Sequence, residues 1–177
     1  YVTTALPYCG ESMYDKSLRL TRKEKKMDDY VNQVIHYNTQ TEDEDYVMDS
    51  RYTSVYVATK IAEKHECGIV GVISRSRQCL PKSFWKEKSI GLLEINALQK
   101  GEYIQFRDQE HNLNITIWQD TETVWLLDNC INPFARGEVT RQDGDQRVTY
   151  LVPYVCRFYN KHMGNCDSAD KHRSNYE

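Results

Sequence analysis

The sequence lacks three features, each of which would have pointed to a class of protein. No apolar run approaches the roughly twenty residues that a membrane-spanning helix needs. No Cys-x-x-Cys pair, the short spacing typical of a structural zinc site, occurs. Basic residues are not in excess, because 23 Lys and Arg stand against 26 Asp and Glu and the net charge is −3. The composition therefore argues against a membrane protein, a zinc-stapled domain and a DNA-binding protein that works without a basic partner.

A signal peptide is also not recognisable, and this bears on the six cysteines. They are Cys9, Cys67, Cys79, Cys130, Cys156 and Cys166. An even number permits a disulfide framework of the kind found in small secreted domains. The chain is long for such a domain, however, and Cys9, Cys67 and Cys156 lie beside apolar segments, where free cysteine packs as a small hydrophobic residue. We predict reduced cysteines; a secreted, disulfide-linked domain is the alternative, which a count of free thiols would test.

What the chain does contain fits one globular domain or the greater part of one. It has 177 residues, of which 40% are hydrophobic and 28% charged. This composition is sufficient to form a buried hydrophobic core, and disorder is not expected. The first residue is Tyr1 rather than an initiating methionine, and it falls inside a predicted strand. We therefore expect a fragment of a longer protein.

Strand and helix patterns alternate in the first part of the chain. The predicted elements are a strand over 1–9, a helix over 27–37, a strand over 46–48, a helix over 53–64 capped by Gly68, and a strand over 69–73. The last of these is a continuous apolar run, which suits a strand covered on both faces. This order favours an α/β fold with helices packed on a sheet.

The second part of the chain has a different pattern. Alternating polar and apolar residues predict a β-meander with strands over 101–107, 113–118 and 123–127. The stretch 136–147 is rich in Gly, Asp and Arg, and it is predicted to be an exposed loop. Residues 152–163 are predicted to form a helix that tolerates Pro153 in its first turn.

Two aspartates, Asp49 and Asp167, stand where predicted elements change. Asp49 follows the strand that ends at Met48, and Asp167 follows a helix through a glycine break at Gly164. Element ends are rigid enough to hold a carboxylate in place, and Mg²⁺ is bound by a few carboxylates together with waters and substrate phosphates. Asp49 and Asp167 are therefore our candidate catalytic residues and metal ligands. The alternative for each is an acid at the start of a helix, as an N-cap or a charge favoured by the helix dipole.

Other polar and aromatic residues have simpler interpretations. His162 and His172 lack a ligand pattern, so we predict that they are structural or solvent-facing. Trp118 and Trp125 lie on predicted strands, where packing in the sheet is expected before base stacking. The loop after the strand 69–73 either binds phosphates or is an ordinary charged loop, and its basic residues are Arg75, Arg77 and Lys82.

Several segments match a known pattern in order and spacing. They are Asp49-Ser-Arg-Tyr-Thr-Ser54, Ile69-Val-Gly-Val-Ile-Ser-Arg75, Leu80-Pro81 and Tyr159-Asn-Lys-His-Met-Gly-Asn-Cys-Asp-Ser-Ala-Asp170, preceded by the strand Tyr1–Tyr8 with Cys9-Gly10. The pattern resembles that of the piggyBac-type transposases. Their corresponding motifs are Asp-Asn-Trp/Phe-Phe-Thr-Ser, a strand with Gly-Thr-Val-Arg, Leu-Pro or Ile-Pro, Tyr-Asn-Lys-x-Met-Gly-Gly-Val-Asp-x-x-Asp, and a second core strand that ends in Tyr-x-Gly. The fourth of these motifs is the most specific.

The resemblance implies an RNase H-like transposase core, truncated at its first strand, with a β-rich insertion. The core would occupy 1–100, the insertion 101–150 and the C-terminal core helices 151–177. Strand cleavage and joining would use two Mg²⁺ ions held by three aspartates, of which Asp49 matches the second and Asp167 the third. The first lies on a strand before Tyr1, so we expect this chain alone to be inactive.

The resemblance also implies partners and a location. DNA is expected as the partner, both as transposon ends and as target, together with a homodimer in the full-length protein and a nuclear location. The chain departs from the family pattern at Ser50 and Arg51, which replace Asn and an aromatic residue, and at Asn165 and Cys166, which replace Gly and Val. These changes fit either a divergent transposable element or a decayed copy. The alternative is a domesticated, non-catalytic DNA- or chromatin-binding protein with the same fold.

Overall fold

The computed structural model describes residues 31, 45–65, 67–75, 90–108 and 112–174. Its elements are β1 (Tyr46–Met48), α1 (Val55–His65), β2 (Ile69–Val72), α2 (Ile90–Ala97), β3 (Tyr103–Asp108), β4 (Leu113–Gln119), β5 (Thr123–Asp128), β6 (Arg136–Asp143), β7 (Gln146–Pro153) and α3 (Tyr154–Ser174). The predicted strand 1–9 lies outside the described residues, as does the predicted helix 27–37 apart from Val31. None of the helices in the described part is both long and apolar enough to cross a membrane.

A five-stranded mixed sheet in the order β1-β2-β5-β4-β3 forms the centre of the fold. β1 and β2 are parallel, with Val47 opposite Val70. β5 is antiparallel to β2 and to β4, and it places Asp128 between Val70 and Asn114. The predicted strands 46–48 and 69–73 and the predicted meander are confirmed. The meander continues the sheet that β1 and β2 begin, so strands from both sides of the predicted boundary at residue 100 share one sheet. The division into domains stays a prediction.

Apolar side chains cover the sheet on both faces. On one face, α1 supplies Val57 and Ala58 to a cluster with Ile69 and Leu127. On the other face, α3 and the β6–β7 hairpin pack on residues such as Val70. Because neighbouring residues of a strand point to opposite faces, the apolar run of β2 feeds both clusters. Its burial on two faces is as the sequence predicted, and the architecture is a mixed α/β fold.

The stretch 136–147 is not a loop, and that prediction was wrong. Most of it forms β6, which pairs with β7 in an antiparallel hairpin. The two strands are joined by a two-residue turn whose first residue, Gly144, has a φ of 59°. A positive φ at the first turn position is what glycine provides in hairpins of this length. The polar composition was misleading because one face of β6 is exposed and only Gly137 and Val139 of the strand are buried.

Three contacts fix the hairpin on the end of the meander. Arg141 donates from Nε to both carboxylate oxygens of Asp120, at 3.0 and 2.9 Å, and its guanidinium lies 5.3 Å from the ring centroid of Trp118. Near the hairpin turn, Lys100 forms an ion pair of 2.9 Å with Asp143. A planar guanidinium can hold a carboxylate and cover an aromatic face at once. An arginine at an inward position of β6 therefore takes the place of an apolar residue.

The C-terminal helix differs from its prediction at both ends. Pro153 is the last residue of β7, opposite Arg136, and α3 begins at Tyr154. The helix then continues through Gly164 to Ser174, so the glycine break does not exist. Glycine inside a helix costs only about 1 kcal/mol relative to alanine. Burial of Val155 and Cys156 in the first turn anchors the helix against the sheet. Asp167 is consequently inside α3 and not at an element junction.

Gly164→Ala is expected to stabilise the protein by about 1 kcal/mol, because alanine has the higher helix propensity. Gly164 is exposed, and a Cβ added there would meet no atom within 4 Å. Urea-induced unfolding followed by circular dichroism measures the difference. A loss of stability would contradict this expectation and would show that the glycine serves a contact of its own.

Gly68 does not cap a helix, which corrects a second expectation about glycine. α1 ends at His65, and the φ of Gly68 is outside the left-handed region. A Cβ at Gly68 would overlap the side chains of Asp45 and Cys130. The glycine is therefore required for the close approach of these two residues to the start of β2.

Candidate functional site

Asp49 directly follows β1 and is held by a turn of its own backbone. One carboxylate oxygen, Oδ1, accepts a hydrogen bond of 2.8 Å from the Arg51 amide. The Asp49 carbonyl accepts bonds from the amides of Tyr52 and Thr53, at 3.2 and 3.1 Å. A side chain that bonds its own backbone two residues on is typical of aspartate in turns. The turn fixes an exposed carboxylate at the carboxyl end of the strand.

The N-cap alternative for Asp49 is wrong. α1 begins at Val55, and its cap is Ser54, whose Oγ accepts a hydrogen bond of 3.1 Å from the Val57 amide. The Ser54 carbonyl accepts a further bond of 3.0 Å from the amide of Ala58. This is the geometry of an N-cap serine bonded to the third helical residue. Asp49 is five positions earlier, so helix capping does not account for it.

Thr53 ties the Asp49 turn to the sheet. Its side chain is 0% exposed, and its hydroxyl donates a hydrogen bond of 2.7 Å to the Asp49 carbonyl. It packs against the backbone of Gly71 on β2, where a Cβ would overlap the Thr53 hydroxyl and lie 2.9 Å from the Met48 carbonyl oxygen. Because Gly71 has no side chain, Thr53 has the room that it needs to hold the turn.

The second candidate, Asp167, lies within α3, eleven residues after Cys156. Cys156 is buried on the sheet side of the helix. Because eleven residues are close to three full turns, the backbone of Asp167 lies on the same side of α3. The helix contacts β5, β2 and β1 in the sheet. The structure therefore brings α3, which carries Asp167, against β1, which leads to Asp49, although the two aspartates are 118 positions apart in the sequence.

No three His, Cys, Asp or Glu side chains within the described ranges are arranged to hold a metal ion. The imidazole of His162 is half-buried and stacks on Phe158, with 4.4 Å between ring centroids, as expected for a structural residue. Trp118 and Trp125 are buried in the sheet, as predicted. At the carboxyl end of β1, Asp49 presents carboxylate oxygens, the type of donor that hard cations such as Mg²⁺ take.

Arg75 is the residue of the predicted basic loop that the structure places near this edge. It follows β2 and is exposed. Because β1 and β2 are parallel, the residues that follow them emerge at the same edge of the sheet. The other two residues of the predicted basic loop, Arg77 and Lys82, lie outside the described residues, and so does Leu80-Pro81.

Sequence reasoning missed a buried carboxyl group, Asp128. It is 1% exposed, and its Oδ1 accepts hydrogen bonds from Asn114 Nδ2, at 3.0 Å, and from the Ile131 amide, at 3.1 Å. Burial raises the pKa of Asp128 from its ordinary value of 3.8 to about 6, although these two bonds and the charge of Arg107 act in the opposite direction. Asn114 is 6% exposed, and its Oδ1 has no hydrogen-bond donor among the described residues.

Two of the described cysteines, Cys130 and Cys156, carry free thiols with raised pKa values. Cys67 and Cys156 are buried, as the apolar sequence around them predicted. Burial raises the pKa of the Cys156 thiol to about 12. Cys130 as a residue is exposed, but its thiol is partly buried beside Ile69, and this, reinforced by the nearby Asp45, raises the pKa of Cys130 to about 12. The thiolate is the nucleophilic form of cysteine. At neutral pH neither residue is therefore suited to nucleophilic chemistry.

Comparison with known proteins finds a family model and a solved structure that match this chain. The family model described as "Transposase IS4" matches residues 1–177. A solved cryo-EM structure of piggyBac transposase, in a synaptic complex with hairpin DNA, superposes with a TM-score of 0.65 at 17% sequence identity. The match covers 96% of this chain and 30% of that one, so the chain spans less than a third of the length of that transposase. A search of curated proteins finds no match. The shared fold is consistent with the predicted RNase H-like core and its β-rich insertion.

Proposed function

The chain belongs to the transposase IS4 family, and on that premise we propose that it is part of a catalytic domain that cuts and joins DNA strands. Asp49 and Asp167 are the proposed metal ligands. The observation that carries the proposal is the Asp49 turn, because it fixes an exposed carboxylate that caps no helix. Transposon ends and target DNA are the proposed partners. A homodimer in the full-length protein and a nuclear location complete the proposal.

The residues at the end of β1 fit a Mg²⁺ site. Magnesium takes oxygen ligands and keeps several waters, so one or two carboxylates and the substrate phosphates suffice. The turn engages Oδ1 of Asp49 in one hydrogen bond, and the side chain remains exposed. When bound, Mg²⁺ would supply Lewis-acid stabilisation of phosphodiester oxygens. Asp49 and Asp167 would hold the cation, and Arg75 would bind a phosphate oxygen beside it.

Metal binding by the chain tests this proposal. Mn²⁺, which takes oxygen sites of the same kind, is titrated calorimetrically into the wild-type chain and into variants. We expect Asp49→Asn and Asp167→Asn each to weaken binding by about tenfold or more, which is roughly 1.4 kcal/mol. Asp145→Asn is the matched control, because it removes the same charge from the exposed turn of the hairpin. Affinities equal to that of the control would overturn the assignment of the two ligands.

A DNA-nicking assay in Mg²⁺ then separates the two candidate functions. It uses the full-length protein that contains this chain, with Asp49→Asn as the variant. Cleavage that the substitution abolishes is the expected result. A wild-type protein that binds DNA but does not nick it would favour the non-catalytic DNA-binding alternative, since a fold does not determine an activity.

A further inference from the structure

The exposed side of α3 carries a row of basic residues. Arg157 and Lys161 are both exposed, and they are four positions apart, so they lie one above the other on the helix. From Tyr154 to Cys166 the sequence contains no acidic residue. This part of α3 is therefore locally positive in a chain whose net charge is −3.

Packing holds one residue of this basic row, Arg157, in place. The aliphatic part of Arg157 lies over the backbone of Gly137 on β6, where an added Cβ would be 3.0 Å from Arg157 Cδ. Next to the row runs a line of rings, Tyr154, Phe158 and His162, with centroids separated by 6.2 and 4.4 Å. Side chains that are already restricted lose less conformational entropy when a ligand binds. Arg157 is thus better prepared for an anion than an isolated surface charge would be.

The position of the row adds to its charge. α3 begins beside the hairpin and contacts β1, the strand that leads to Asp49. Arg157 and Lys161 therefore lie on the outer side of the helix whose opposite side faces the sheet. A polyanion that reaches the carboxyl end of β1 along α3 would meet them on its way.

We infer that Arg157 and Lys161 form a docking surface for the phosphate backbone of duplex DNA. The inference rests on the proposed function for the choice of ligand, and on charge complementarity for the choice of surface. Lysine and arginine contacts to phosphates position DNA without reading its sequence. The surface therefore fixes how DNA lies along α3 and contributes no sequence preference.

Fluorescence anisotropy with a labelled DNA duplex tests the inference over a series of NaCl concentrations. Each phosphate contact contributes about 0.9 to the slope of log affinity against log salt. We expect Arg157→Gln and Lys161→Gln each to lower that slope by about one and to weaken binding by roughly five- to tenfold at 0.1 M salt, for duplexes of any sequence.

The matched control is Arg107→Gln. Arg107 is exposed on β3, which is four strand spacings, or about 19 Å, across the sheet from β1. The Arg107→Gln substitution should leave the slope of log affinity against log salt unchanged. The inference is overturned if the wild-type chain does not bind duplex DNA, or if the two α3 variants behave like the control. DNA binding that depends on Arg157 and Lys161 without metal binding at Asp49 would keep this inference and defeat only the proposed catalytic role.

Discussion

Gly71→Ala is expected to destabilise the protein by about 4 kcal/mol. A Cβ at Gly71 would overlap the Thr53 hydroxyl and lie 2.9 Å from both Thr53 Cγ2 and the Met48 carbonyl oxygen. Overpacking of a buried site costs about 1–3 kcal/mol. The displaced hydroxyl would also lose its bond to the Asp49 carbonyl, and a buried hydrogen bond that is broken costs about 1–3 kcal/mol more. Urea-induced unfolding gives the difference in the free energy of unfolding.

A second substitution decides whether this clash is the cause. Thr53→Ala removes two of the three atoms that an alanine at position 71 would meet, and only the Met48 carbonyl oxygen remains. In the double variant, Gly71→Ala should therefore cost at least about 1 kcal/mol less than it does alone, because substitutions at contacting residues are not additive. Strictly additive effects would contradict the expectation. Gly164→Ala is the control for a glycine whose replacement meets open space, and its effect should have the opposite sign.

Asp128→Asn is expected to stabilise the protein by up to about 3 kcal/mol at pH 7.5. The pKa of Asp128 in the folded protein is about 6, above its ordinary value of 3.8. The folded state therefore binds the proton more tightly than the unfolded state does. The stability from this group is complete below pH 3.8 and is lost as the pH rises to about 6, where the accumulated loss is about 3 kcal/mol.

Asparagine avoids this loss because it is neutral at every pH. Its oxygen can accept the hydrogen bonds from Asn114 and Ile131 that Asp128 accepts in the wild type. Unfolding free energies of the wild type and of the variant, measured from pH 4 to pH 7.5, give the comparison. The difference between them should grow between pH 4 and pH 6 and then level off. A difference that does not vary with pH would show that Asp128 does not carry the pH dependence. Asp145→Asn, in the exposed hairpin turn, is the control.

Local patterns were enough to predict the strands of the central sheet. β2 is a short apolar run, and the sequence of β4 alternates from Leu113 to Trp118, which is enough to indicate two strands. The structure buries residues on both faces of β4, which the alternation did not predict. The pairing of β2 with β5 could not be predicted in this way, because it joins segments that are some 54 residues apart. No periodicity specifies which distant strand completes a sheet.

The hairpin and α3 were missed for a common reason, which is that tertiary contacts outweighed local preference. The composition of β6 is typical of a loop, and only the structure shows that Arg141 covers Trp118 and binds Asp120. In the sequence, Gly164 indicates the end of a helix. The structure shows instead that the buried turns before Gly164 anchor a helix that continues through it. In the hairpin, Arg141 is held by partners outside its own strand; in α3, the buried residues before Gly164 anchor the helix, so the unfavourable helix propensity of one glycine does not end it.

The candidate site was predicted in part. The position of Asp49 after a strand follows from the apolar run before it, and the structure confirms that position. Its role was open because an aspartate before a helix is most often a cap, and only the hydrogen bond of Ser54 removes that alternative. Asp128 was not identified, since an acid at the end of an apolar strand gives no sign that it lies between Val70 and Asn114.

The pairing of β2 with β5 has a consequence for synthesis of the chain. At about 5–20 residues per second, a ribosome completes β5 roughly 3–10 seconds after β2. During that time Ile69 and Val70 belong to an apolar strand whose later partner has not been made. An unprotected strand edge of this kind is a template for pairing between nascent molecules. Translation speed and chaperone access at residues 69–128 therefore influence how much of the protein aggregates before it folds.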